Sequence, residues 1–126
     1  MDISDSLSLG LVATLQKSRN LSDNSELFSR PEKMFSGTLD WRTPDEVVGT
    51  LLAFRYVGRR NDATTQPSPS FVVWDLSSTF SVSEKMDLHV RIDNVFDNDY
   101  TEMVDWNGNW YGTLGRSAFL GVTWRY

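Results

Sequence analysis

Residues 86–93, Met86-Asp87-Leu88-His89-Val90-Arg91-Ile92-Asp93, alternate without exception between an apolar side chain and a charged or titratable one. Successive side chains of a β-strand point to opposite faces, so this stretch reads as a strand with one oily and one ionised face. The same period of two extends through the chain. Ala118, Leu120, Val122, Trp124 and Tyr126 alternate with Phe119, Gly121, Thr123 and Arg125. Val72, Trp74, Leu76, Ser78, Phe80 and Val82 alternate with Val73, Asp75, Ser77, Thr79 and Ser81. Phe35 to Trp41 and Leu7 to Leu15 repeat the pattern, and Val48 to Tyr56 is less clean because Leu51 and Val57 fall on its other side. Six strands are predicted, at about 6–16, 34–43, 46–58, 71–82, 85–96 and 116–126. The expected fold is all-β, an antiparallel up-and-down meander.

Composition narrows the function. A chain of 126 residues is one domain or a piece of one. It has no cysteine, hence neither disulfides nor thiolate metal sites. Twelve Lys and Arg against 17 Asp and Glu give a net charge of −5. Without a basic cluster such a chain is a poor nucleic-acid ligand, because phosphate neutralisation dominates that affinity. No apolar run approaches the roughly 20 residues of a spanning helix. The N-terminus, Met1-Asp2-Ile3-Ser4-Asp5, lacks the hydrophobic core of an export signal.

The connections alternate long, short, long, short, long. Residues 17–33, 59–70 and 97–115 join strands at one end; Pro44-Asp45 and Ser83-Glu84 join them at the other. Long loops at one end and tight turns at the other are the pattern of outer-membrane barrels. Strand lengths agree, since a tilted spanning strand needs roughly 9–11 residues. The oily rows end in large aromatics (Trp41, Tyr56, Trp124, Tyr126), as interfacial girdles do. The opposite rows carry Arg55, Asp87, His89, Arg91 and Asp93 at mid-strand, which a wet lumen tolerates. A half-buried soluble sheet also alternates, so a soluble lipocalin-like small-ligand barrel and a plugless porin stand as alternatives. Single-chain bacterial barrels have at least about 8 strands. Six leave open edges, so a fragment of a longer barrel is the simpler expectation.

The order Asn94-Val95-Phe96-Asp97, Tyr100, Gly115-Arg116 and a final alternating strand resembles the C-terminus of TonB-dependent outer-membrane receptors. Tyr56-Val57-Gly58-Arg59-Arg60, Val73-Trp74-Asp75-Leu76 and Arg30-Pro31 fit the preceding strands of that family. The cobalamin and siderophore importers are the best-matched branches. The resemblance implies that residues 1–126 are the C-terminal segment of a 22-stranded transmembrane β-barrel, in the bacterial outer membrane. It implies a plug domain and earlier strands that this sequence does not contain, and a TonB complex engaged only through that missing N-terminal part. Gly121, Trp124 and Tyr126 resemble the signal read by the barrel-assembly machinery, with Phe119 departing from the usual polar residue.

Candidate binding residues lie in the long loops. Trp106, Trp110 and Tyr111 crowd the last one among Asn107, Gly108 and Asn109, suited to stacking a small nutrient at a barrel mouth or to packing between loops. Arg59, Arg60 and Arg116 lie at the same end, placed to pair with lipopolysaccharide or an acidic ligand, or with Asp62 and Asp97. No metal, cofactor or catalytic function is expected. His89 lacks convergent ligands, and Asp97-Asn98-Asp99 lacks the spacing of a calcium loop. No Gly-x-Ser-x-Gly motif occurs.

Overall fold

All six alternating runs form strands within three residues of the expected limits in the computed structural model, which describes residues 1–25, 27–61, 67–105 and 107–126. In chain order the elements are β1 (Asp2–Ser4), β2 (Leu7–Leu15), β3 (Lys33–Arg42), β4 (Val48–Val57), β5 (Arg60–Asn61) and β6 (Pro67–Ser68). Then follow β7 (Phe71–Ser83), β8 (Met86–Asp93), β9 (Thr101–Val104), β10 (Trp110–Gly112) and β11 (Ser117–Trp124). Seven strands pair antiparallel in the order β1-β2-β3-β4-β7-β8-β11, so the large sheet is an uninterrupted meander. The expected count of six omits β1, whose three residues are too short to show alternation. It also omits two small hairpins, β5–β6 and β9–β10, inside the second and third long loops.

Register extends each strand's alternation across the whole sheet. Leu9 stands opposite Leu39, Leu39 opposite Leu52, Leu52 opposite Leu76, Leu76 opposite Ile92, and Ile92 opposite Ala118. A one-residue slip anywhere would move a strand's apolar set to the other face. The oily rows therefore merge into one surface. It is rich in aromatics near the loop end, where Phe35 and Tyr56 lie 5.8 Å apart, Phe54 and Trp74 5.0 Å, and Trp74 and Phe96 6.1 Å edge-on. Trp41, Phe80 and Trp124 stand near the turn ends of their strands.

Among the described residues nothing packs on that apolar surface. Leu11, Leu15, Phe35, Leu120, Val122 and Trp124 are exposed. The buried apolar cluster of Val57, Phe71 and Val73, with Tyr100 against it, lies on the other face at the loop end. A lipocalin-like barrel requires the opposite, with aliphatic rows packed together inside. The polar face also carries Val12, Leu51 and Phe119, the last covered by the Arg91 guanidinium 5.4 Å from its ring centroid. The sheet does not close on itself. An unpaired backbone group in hydrocarbon costs several kcal/mol, so both edges need further strands in a membrane.

Candidate functional site

The segment after β8 is built around two residues in the left-handed backbone region, Asn94 (φ 52°) and Asp97 (φ 55°). Asn and Asp tolerate that conformation better than most residues because their short side chains bond locally. The Asn94 side chain accepts from the Asn98 amide at 3.0 Å and donates to the Asn98 carbonyl at 3.0 Å, closing a ring over the turn. Its own amide donates to Asp75 Oδ1 of β7 at 2.9 Å. Asn98 Nδ2 donates to the Val72 carbonyl at 3.0 Å. Asp97 Oδ1 accepts from the Arg116 amide at 2.7 Å, which brings the start of β11 back beside the end of β8. A side chain on Gly115 would meet that same Asp97 oxygen. Asn94, Asp97, Gly115 and Arg116 thus belong to one device, which ends β8 and aligns β11. Phe96 joins the aromatic cluster through Trp74.

The last long loop then folds inward over the polar face. Tyr100 lies on Phe71 with ring centroids 4.6 Å apart. Glu102 accepts from Arg55 Nη2 at 2.7 Å. Arg60, only 6% exposed, donates to the carbonyls of Thr101, at 3.1 Å, and Glu102. The first loop is tied in as well, the Ser29 amide donating to the Asn61 carbonyl at 2.6 Å. The tip of the last loop is organised by Asp105, whose carboxylate accepts from the amides of Asn107 and Asn109 and from Asn109 Nδ2, each at 2.9 Å. The Asn109 side chain, its amide and the other donors hold the Asp105 carboxyl below the usual carboxylate range. Gly108 sits in the same turn at φ 81°.

No protein-family model matches the chain. Over 108 residues, 86% of its length, the chain is 29% identical to the vitamin B12 transporter BtuB of Vibrio vulnificus, of which the match spans 17%. It superposes on the ferric-catecholate import receptor Fiu of E. coli K12 with TM-score 0.77 and 21% identity, covering 96% of this chain and 19% of that one. On the ferripyoverdine receptor of the outer membrane of Pseudomonas aeruginosa the TM-score is 0.82 at 13% identity, covering 98% and 18%. The chain is of the TonB-dependent receptor type. It spans between 17% and 19% of the length of these three proteins. As a TonB-dependent receptor wall it lies in the bacterial outer membrane, with the unpacked apolar surface toward lipid.

Within this TonB-dependent receptor wall the predicted loop residues do not converge. Arg59 is exposed, while its neighbour Arg60 is turned inward against the last loop. Tyr111 stands opposite Met103, and Trp110 opposite Val104, across the β9–β10 hairpin. Alternation puts Tyr111 and Met103 on one face of that hairpin and Trp110 on the other. Trp106 lies outside the described residues. Gly121 stands opposite His89 on the polar face, Trp124 on the lipid face, and Tyr126 beyond the strand. The ring nitrogens of His89 face two hydroxyls, Thr79 Oγ1 at 3.2 Å and Thr123 Oγ1 at 2.9 Å, joining β7, β8 and β11. Sequence reasoning put Arg55 on the wet face without a partner and gave Phe71 and Asn98 no role, yet these three hold the last loop. Arg55 alone gave a signal, as the one charged residue of its strand.

Proposed function

We propose that residues 1–126 form the C-terminal part of the wall of a 22-stranded barrel in an importer of a scarce nutrient, of the cobalamin or ferric-siderophore class. The observation that supports this reading is the division of labour between faces. One face is apolar and bare, and the other is ionised and carries the inward-folded third loop. In this reading the chain supplies wall and extracellular loops, with Arg59, Trp106, Trp110 and Tyr111 as ligand contacts and Arg60 as a residue that positions the last loop. Plug movement and TonB engagement belong to the rest of a longer protein, and insertion to the barrel-assembly machinery. The test is fractionation and uptake with the full-length gene product. Recovery from the outer membrane, with uptake of labelled cobalamin or ferric siderophore lost on removing TonB, is the expected result. Recovery from the cytosol overturns the reading, and uptake that persists without TonB favours a plugless porin.

A further inference from the structure

Three successive amides at the tip of the last loop converge on one residue. The Asn107 and Asn109 amides donate to Asp105 Oδ1, each at 2.9 Å. Between them the Gly108 amide donates to the Asp105 carbonyl at 3.0 Å. The Asp105 amide in turn donates to the Asn109 carbonyl at 3.1 Å. Inside this closed turn lies the pair Asn107-Gly108, and no other asparagine of the chain precedes a glycine. Asn107 is exposed, and among the described residues its carboxamide has no hydrogen-bond partner. A glycine has no Cβ to shield its own amide nitrogen. The Asn107 carboxamide is therefore the one in this chain most open to attack by the nitrogen of the next residue.

We propose that Asn107 is a site of spontaneous deamidation, held back by the turn that Asp105 closes. The Gly108 nitrogen attacks Asn107 Cγ. The new N–Cγ bond closes a succinimide ring, the Cγ–Nδ2 bond breaks, and Nδ2 departs as ammonia with the proton of the Gly108 amide. Water then opens the ring at either carbonyl, leaving aspartate or isoaspartate. The attacking nitrogen must first give up its proton and turn toward the side chain. In the closed turn that proton is committed to the Asp105 carbonyl. The Asp105 carboxylate beside it also disfavours negative charge on the nitrogen. Reaction therefore waits on local opening of the tip. The product does not close as before, because it carries a second carboxylate two residues from Asp105 and like charges repel. Isoaspartate in addition routes the main chain through Cβ. Trp110 and Tyr111 follow directly, so the change reaches the aromatic residues of the β9–β10 hairpin.

The test incubates the full-length protein in detergent at neutral pH. Its peptides are followed by mass spectrometry, with the aspartate and isoaspartate forms separated by chromatography. Conversion at Asn107 is expected to exceed that at Asn109, which is bound to the same carboxylate but precedes a tryptophan. It should run roughly ten- to a hundredfold slower than in the same chain unfolded in urea, the effect of charged hydrogen bonds that must open first. Asp105→Ala removes the carboxylate acceptor and should recover most of that factor. Asp105→Asn keeps an acceptor oxygen and should fall between the two. No conversion at Asn107, or equal conversion at Asn109, overturns the site. A wild-type rate equal to that of the unfolded chain, or to that of Asp105→Ala, overturns the protection by Asp105.

Discussion

The ring of Phe54 lies across Gly37, its cross-strand partner, in the space that a side chain on the glycine would fill. Leu11 crowds the same point from β2, its Cδ2 2.7 Å from where a Cβ would stand. The glycine lets an aromatic ring lie flat along the lipid face and reach Trp74.

Gly37→Val is expected to lower the unfolding free energy of the assembled barrel by about 1–3 kcal/mol, the usual cost of overpacking. Phe54→Ala in the same background should return part of that loss. Urea titration of the four members of this double-mutant cycle measures the coupling. Additive effects would mean that the ring and the glycine are independent.

Charge on the two faces should have unequal consequences. Leu120 lies mid-strand on the lipid side of β11, and Leu120→Lys is expected to cost roughly 2–4 kcal/mol of barrel stability near the midplane. Ser77 lies mid-strand on the polar side of β7, and Ser77→Lys should cost far less. Asp87 is a poor choice for that comparison. It is buried between Ser81 and Arg125, so replacing it breaks a local network as well as changing the face. Equal losses for Leu120→Lys and Ser77→Lys in a folding assay would remove the face assignment.

The strands were legible because alternation is a local property. Met86 to Asp93 declares its two faces with no reference to any neighbour. The loops were not legible, because their contacts join residues far apart in the chain. Arg60 reads in sequence as one of two adjacent loop arginines. Only the fold shows that it bonds carbonyls about forty residues away while Arg59 remains exposed. The motif at Asn94 was recognisable by resemblance, but its physical reason lay in two left-handed residues and in partners on β7 and β11. Neither leaves a periodic trace.

Asn94 combines a left-handed backbone, burial and three hydrogen bonds through its side chain and amide. Asn94→Ala keeps the strained backbone and loses both side-chain bonds, so a loss of about 2–3 kcal/mol is expected. Asn94→Gly relieves the backbone but still lacks the amide and should cost less. Thermal unfolding of the two variants orders them, and the reverse order would show that the side-chain bonds matter little.

Arg60 and Arg59 should separate in a measurement of loop order. Arg60→Ala removes a charged donor from two carbonyls of the last loop, worth about ten- to a hundredfold in local opening. Amide exchange at residues 101–104 should accelerate accordingly. Arg59→Ala should leave that exchange unchanged while weakening ligand binding. Unaltered protection in the Arg60 variant would refute its positioning role.

The tip of the last loop should respond to acid. The Asp105 carboxyl is held below its usual value of 3.8, first by Asn109. A depressed acid stabilises the folded turn when ionised. That contribution is complete above the ordinary carboxylate value and disappears as pH falls through the lowered one. The amide resonances of Asn107 and Asn109 should therefore shift together only under strongly acidic conditions. Asp105→Asn should abolish the transition while partly preserving the turn, because the amide oxygen still accepts from both backbone N–H groups. A transition at the usual carboxylate pH, or one that survives Asp105→Asn, would show that another group controls the tip.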